Sequence, residues 1–341
     1  MEREKLVYIG HEYHNKTLST KFLIDLFKQS YDVDIFQYSM EHREFIGEKE
    51  TNEEHYKVLV LFQMPVSIKE LKAKFDFEVG SYFPMYDGTG EASDDFWRGY
   101  SGFNIINFSS TLHNRLMKMG LSSYYIQYFP KPFTDFEWGK EDSLFFWHRR
   151  AGLNINKLSP LISQIDIKNI HIHNAYDPGE NQIIPDEEVK NKYSISVSEW
   201  YASKKKMLDV IAESACYMAP REYEGIGMSF LEAMAMGRCV IAVNHPTMNE
   251  YIVNNQNGLL YNLNDIDGVS WKNINIKEIQ KNAYDYICEG YAKWEENKMD
   301  ILKWILAEPA TVKNSTVIIQ EKENNIIRKI IKKIVKRSFK V

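Results

Sequence analysis

The chain has 341 residues, 44% of them hydrophobic and 26% charged, which is enough apolar material for two domains of ordinary size. Its net charge of −5 is unevenly spread: residues 325–341, NIIRKIIKKIVKRSFKV, carry seven Lys/Arg and no acid, so the body is more acidic than the total suggests. An acidic body argues against a nucleic-acid-binding core, and the lack of any run of about 18 apolar residues argues against a membrane-spanning helix.

The N-terminal MEREKLVYIG has no long apolar stretch ahead of a small-residue cleavage site, so no secretory signal is expected. Leu6–Ile9 reads as a first strand ended by Gly10. Apolar residues at helical spacing follow over Leu18–Phe27, then a strand at Val33–Phe36. VLVLF at 58–62 is a buried strand stopped by Pro65. FDFEVGSYFPMYDGTG is an extended run that breaks at Pro84 and Gly88. NIINFSS reads as a strand before a helix over Thr111–Met119, with Gly120 as its stop, and YYIQYFP as one more strand. Strands alternating with helices imply a parallel, doubly wound sheet.

FPKPFTDFEWGKEDS, with two prolines and several charges, reads as a linker. A second series follows: a strand at Leu144–Trp147, a helix around Lys157–Gln164, strands at Ile170–His173 and KYSIS, and a helix over about 203–214. Tyr217–Ala219 is a short strand, Pro220–Gly227 a loop, and a helix starts near Met228 or Ser229 and runs to Met236, with Gly237 as its stop. Cys239–Val243 and NGLLYN close the series. Three widely spaced cysteines, Cys216, Cys239 and Cys288, fit neither a disulfide framework nor a zinc site, and suit a reducing cytoplasm.

The densest signal is EYEGIGMSFLEAMAMGRCVIA, from Glu222 to Ala242. In open α/β sheets ligands sit beyond the carboxyl ends of strands, where this loop falls. Gly225 and Gly227 let the backbone approach a ligand, and the helix start at Met228 and Ser229 presents free N–H groups that suit a phosphate. Glu224 lies just before this anion site and Glu232 about one turn into the helix. A carboxylate accepts from two hydroxyls at once, so two glutamates flanking a diphosphate describe a nucleotide sugar, one gripping the sugar and one the ribose. Taken alone, each glutamate is equally a surface residue of an ordinary helix.

PREYEGIGMSFLEAMAMGRCVIA (220–242) resembles the E-x7-E signature of retaining family 4 (group 1) glycosyltransferases, whose usual form is close to E-G-F-G-L-x-x-x-E-A-M-A-x-G-x-P-V-[IV]-A. The resemblance implies the α/β GT-B fold: two Rossmann-like doubly wound parallel-sheet domains facing a central cleft. The expected boundaries are 1–133 for the acceptor domain and 134–293 for the nucleotide-sugar donor domain. WEENKMDILKWIL, within 294–308, would cross back onto the first domain, and 309–341 would be a linker and basic amphipathic tail.

The same resemblance implies that Glu224 orients the sugar, that Glu232 fixes the ribose, and that Gly225, Ile226, Gly227, Met228 and Ser229 line the phosphates. It also implies an arginine, with a lysine five residues on, that holds the donor diphosphate. FFWHRR offers Arg149 or Arg150, but Asn154 and Ile155 stand where the lysine belongs, and Lys157 is the nearest substitute. A bidentate guanidinium suits a diphosphate whose charge grows as it leaves. In HPTMNEYI, Thr247 and Asn249 are candidates for sugar or phosphate contacts, with a capping box from Thr247 to Glu250 as the plain alternative. Gly10 can approach the donor phosphates, although G-x-G-x-x-G is lacking there. Asp87, in MYDGTG, is either a contact to an acceptor hydroxyl or donor sugar, or a turn residue.

His11, His14, His171 and His173 have no carboxylate or cysteine at ligand spacing, and no D-x-D occurs near a strand end, so neither metal nor other cofactor is expected. In the tail, Ile326, Ile327, Ile330, Ile331, Ile334 and Val335 recur at helical spacing among basic residues, a pattern suited to an anionic membrane surface. The expected protein is cytoplasmic, peripheral to the inner face of a bacterial-type membrane. It would transfer a sugar from a nucleotide sugar to a glycan or lipid-linked acceptor in surface polysaccharide assembly. A sugar-nucleotide epimerase, a phosphorylase and a non-catalytic scaffold of the same fold are the alternatives.

Overall fold

The computed structural model describes residues 3–309 apart from 12, 13, 15–18, 52, 136, 178, 272 and 273. The basic segment 325–341, read above as an amphipathic helix, lies outside the described residues. Two sheets form the frame. The first holds β1 (Lys5–Gly10), β2 (Asp32–Ser39), β3 (Glu44–Gly47), β4 (His55–Phe62), β5 (Asp76–Phe83), β6 (Asn104–Asn107) and β7 (Ser123–Tyr125), in the order β3-β2-β1-β4-β5-β6-β7. The second holds β8 (Lys140–His148), β9 (Asn169–Asn174), β10 (Ser194–Ser198), β11 (Ser214–Met218), β12 (Cys239–Val243) and β13 (Leu259–Tyr261), in the order β10-β9-β8-β11-β12-β13.

The central strands β1, β4 and β11, and β8 from Leu144 onward, are mostly apolar and buried because helices cover both faces. In chain order these helices are α1 (Lys21–Phe27), α2 (Ile68–Lys74), α3 (Tyr86–Thr89), α4 (Asp94–Arg98), α5 (Ser110–Lys118), α6 (Ile155–Ile162), α7 (Glu187–Lys192), α8 (Lys204–Ala212), α9 (Met228–Ala235), α10 (Met248–Tyr251), α11 (Ile276–Asn297) and α12 (Asp300–Trp304). Side-chain N-caps start many of them: Ser67, Ser93, Ser109, Asn154, Asp186, Ser203 and Asn275 each accept from an amide three residues on.

Several elements depart from the sequence reading. β3 was not anticipated, and it runs antiparallel to β2, so the first sheet is not wholly parallel. Residues 86–89 form a short helix where an Asp-Gly turn was expected. The strand expected over YYIQYFP is only Ser123–Tyr125, because Ile126, Tyr128 and Phe129 turn into the core as the chain leaves the sheet. β8 begins at Lys140, inside the stretch read as linker, and α6 starts earlier than expected, at Asn154's cap.

The strand order reverses between β1 and β4 in the first sheet and between β8 and β11 in the second. The crevices beyond the carboxyl ends of these pairs are where open α/β sheets bind ligands. At its far end the chain returns to the first sheet. Trp304 stacks on Tyr124 at 5.2 Å between ring centroids, Ser81 Oγ donates to the Ile305 carbonyl at 3.3 Å, and Asn104 Nδ2 donates to the Ala307 carbonyl at 2.5 Å. One apolar cluster runs through both halves, from Leu6 and Val58 to Phe145 and Leu231.

Candidate active site

The loop after β11 leads into α9 through Gly227, whose φ of 80° is left-handed. A Cβ there would fall 1.9 Å from the Phe230 ring, so only glycine fits. Unlike the helices capped by Ser, Asn or Asp, α9 has no side-chain cap, and its first turn carries no acid. Its leading N–H groups, on Met228 and Ser229, are therefore available to an anion. Gly225 serves a different purpose. A Cβ on it would lie 2.8 Å from Met85 Sδ and 3.1 Å from Asp87 Oδ1, so its bareness lets α3 of the first half press against the loop. Ile226, between the glycines, is buried.

Glu224 and Glu232 are only 8% and 9% exposed. Burial pushes the Glu224 carboxyl up to about 7; Arg221 and Arg149 oppose the rise, whereas Asp87 and Asp177 add to it. Its Oε1 is buried with no hydrogen-bond partner among the described residues. Burial also raises Glu232, and Lys204 works against it through a 2.5 Å bond from Nζ to Oε1.

Beside Glu224 stands a cluster that draws on both halves. Arg149 follows β8, lies 4.9 Å from the Trp147 ring centroid, and donates from Nε to Asp177 Oδ1 at 2.9 Å. Its Nη2 donates to the same oxygen. Arg150 pairs with Asp177 Oδ2 at 2.8 Å and with Glu180 Oε1 at 3.0 Å. Arg221 reaches across, donating to Asp87 Oδ2 at 2.8 Å and to Asp177 Oδ2 at 2.7 Å. Burial raises Asp87, against the pull of Arg221, Arg149 and Arg150, and its Oδ1 is buried without a hydrogen-bond partner among the described residues.

The structure thus brings together Glu224, Arg149, Arg150, Asp87 and the glycine-led start of α9, with Glu232 further along that helix. Lys157 is not in this group: it is exposed on the first turn of α6, its backbone N–H taken by Asn154. Gly10 ends β1 beside Tyr8 and His14. Thr247, with φ of 75°, is buried and donates to the Glu224 carbonyl at 2.8 Å. It stands at the start of α10, but its side chain makes no capping bond there, so the capping box fails. Glu250 instead caps α5 of the other half, accepting from Ser109 Oγ, Ser110 N and Thr111 N at 2.8, 2.8 and 3.0 Å. Asn249 bonds Asn244 at 3.1 Å and faces solvent.

Sequence reasoning missed Arg221, Asp177 and Lys204. Arg221 was within reach, because it lies three residues before Glu224 in the motif itself. Asp177 and Lys204 carry no local signal; they arrive through the parallel order of β8, β9 and β10, whose carboxyl ends lie side by side.

The two facing sheets, joined by a returning C-terminal helix, define the GT-B fold. Within the chain, residues 191–296 match the family model for glycosyl transferases group 1. A sequence comparison with curated proteins found no match. Solved structures share the fold. Sucrose-phosphate synthase from Thermosynechococcus elongatus aligns with a TM-score of 0.63 at 12% identity, over 88% of this chain and 98% of that one. The lipopolysaccharide outer core galactosyltransferase WaaB aligns at 0.58 and 13%, over 86% and 99%. A variant of TarM from S. aureus, solved with fondaparinux, α-GlcNAc-glycerol and UDP, aligns at 0.52 and 13%, over 79% of this chain. The chain spans 61% of that TarM chain.

Proposed function

We propose that the protein is a retaining glycosyltransferase of hexosyltransferase type. It moves a sugar from a nucleotide diphosphate sugar to a hydroxyl of a glycan or lipid-linked acceptor, in assembly of a bacterial surface polysaccharide. One juxtaposition carries this reading: two buried carboxylates, Glu224 and Glu232, lie on either side of a glycine-led, uncapped helix start, with guanidinium groups beside it. The family match over 191–296 includes this unit, and the TarM structure contains both a nucleoside diphosphate and a glycosylated glycerol.

In this scheme Glu224 orients the donor sugar and Glu232 the ribose. Asp87 meets the sugar or the acceptor hydroxyl from the first half. Arg149 and the start of α9 bind the diphosphate more tightly as the bond to the sugar breaks and charge moves onto the departing oxygen. The test is a thermal-shift screen of nucleotide sugars. A cognate donor should raise the melting temperature of the wild type by several degrees and leave Glu232→Ala unmoved. A mutant that responds like the wild type, or a wild type that responds to no donor, sinks the reading; product analysis with acceptor present separates transfer from epimerisation.

Among the described residues no helix is long and apolar enough to cross a membrane. The proposal includes peripheral attachment at the inner face of the cytoplasmic membrane through 325–341, where each basic residue near an anionic surface contributes about 1 kcal/mol. Deleting 325–341 should release the protein from vesicles containing anionic lipid while donor binding persists. Unchanged co-sedimentation with such vesicles refutes the attachment.

A further inference from the structure

Arg149, Arg150 and Arg221 all converge on the single carboxylate of Asp177. Asp177 lies in the irregular segment after β9 and is itself buried. Burial pushes its carboxyl up, but Arg149 and Arg221 outweigh burial and hold it below its ordinary range. Three cations around one monoanion are more than a structural ion pair needs. Asp87 and Glu180 bring the formal charge of the cluster to zero, yet Arg221 Nε remains buried without a partner among the described residues. An unpaired buried guanidinium N–H, beside a carboxylate that three arginines share, marks a place suited to a larger anion with more acceptor oxygens. The family pattern calls for a second cation beside the first arginine, and Lys157 is turned away on α6.

We propose that Asp177 is a resident counter-ion standing where a diphosphate binds, and that Arg221 is the second cation of the clamp, taking the place of the missing lysine. This rests on the reading of the site as a nucleotide-sugar site. Arg149 and Arg221 grip opposite oxygens of Asp177, so their forks flank one anionic group from two sides. An incoming diphosphate offers each fork its own phosphoryl oxygens and displaces the carboxylate. Asp177 thereby spares the arginines mutual repulsion before the ligand arrives, and it competes with the ligand. A purely scaffolding aspartate predicts the opposite sign: its loss would misplace the arginines and weaken binding.

The experiment titrates the full-length wild type, Asp177→Asn and Arg221→Gln with inorganic pyrophosphate and with UDP, by calorimetry, with circular dichroism as a check of folding. Asp177→Asn should bind pyrophosphate about 3- to 10-fold more tightly than the wild type, and Arg221→Gln at least tenfold more weakly. Unchanged or weaker binding by folded Asp177→Asn overturns the counter-ion role, and wild-type affinity in Arg221→Gln overturns the clamp. Should Asp177→Asn not fold, Asp177→Ser is read by the same criterion. Pyrophosphate needs neither base nor sugar. The expected order of variants with pyrophosphate, in a protein that no nucleotide sugar stabilises, would therefore uphold the clamp while refuting the glycosyltransferase reading.

Discussion

Arg149→Ala is expected to lower donor turnover about 10²- to 10³-fold, the usual loss when one donor to a developing oxyanion is removed, whereas Arg150→Ala costs less than tenfold. The two neighbours differ in setting. The Arg149 side chain is 24% exposed, sits over Trp147, and bears on the charge of both Glu224 and Asp87. The Arg150 side chain is 45% exposed and is drawn toward Glu180, which also accepts from the Ala151 amide. In Arg149→Ala, Asp177 keeps Arg150 and Arg221, so the fold should persist. Steady-state kinetics with the donor identified in the screen decide the matter. Equal losses in the two variants, or a loss confined to KM, would refute the assignment.

Glu224→Gln should make the protein more stable and inactive, with a stabilisation that depends on pH. The Glu224 carboxyl moves from an ordinary value of 4.5 to about 7 on folding. The native state therefore binds a proton that the unfolded chain has released between these values, and wild-type stability falls as pH rises through that window. The penalty nears its full size by about pH 8 and amounts to about 3 kcal/mol. Glutamine, neutral at every pH, escapes it. Denaturant unfolding of the two proteins should give little difference near pH 4.5 and a clear advantage for Glu224→Gln at pH 8. An advantage that is absent at pH 8, or the same at both pH values, contradicts the account. A buried acid kept at such a cost fits a group retained for ligand binding rather than for folding.

The parts of the site legible in the sequence are those that local chain geometry makes. Gly227 must be glycine because of its own φ, and Glu224 and Glu232 are placed by one loop and one helix. The alternation of apolar strands and helices likewise exposed both sheets, because their central strands are buried on two sides. What escaped is what distant segments make together. Nothing near Asp177 in the chain announces three arginines, and nothing near Lys204 announces Glu232. Glu250 read as half of a capping box because Thr247 stands three residues before it. The left-handed backbone at Thr247 breaks that box, and the carboxylate finds α5 of the other half instead. The absence of the family's lysine was visible in the sequence, but where its nearest substitute would lie was not: Asn154 caps α6, which sets Lys157 on the solvent face.

Among the described residues the chain passes between the halves twice, once after β7 and again between α11 and α12. Glu250 ties the two halves together. Its carboxylate belongs to one half while the N–H groups it satisfies belong to the other, so parting the halves would strip the start of α5 of its anion.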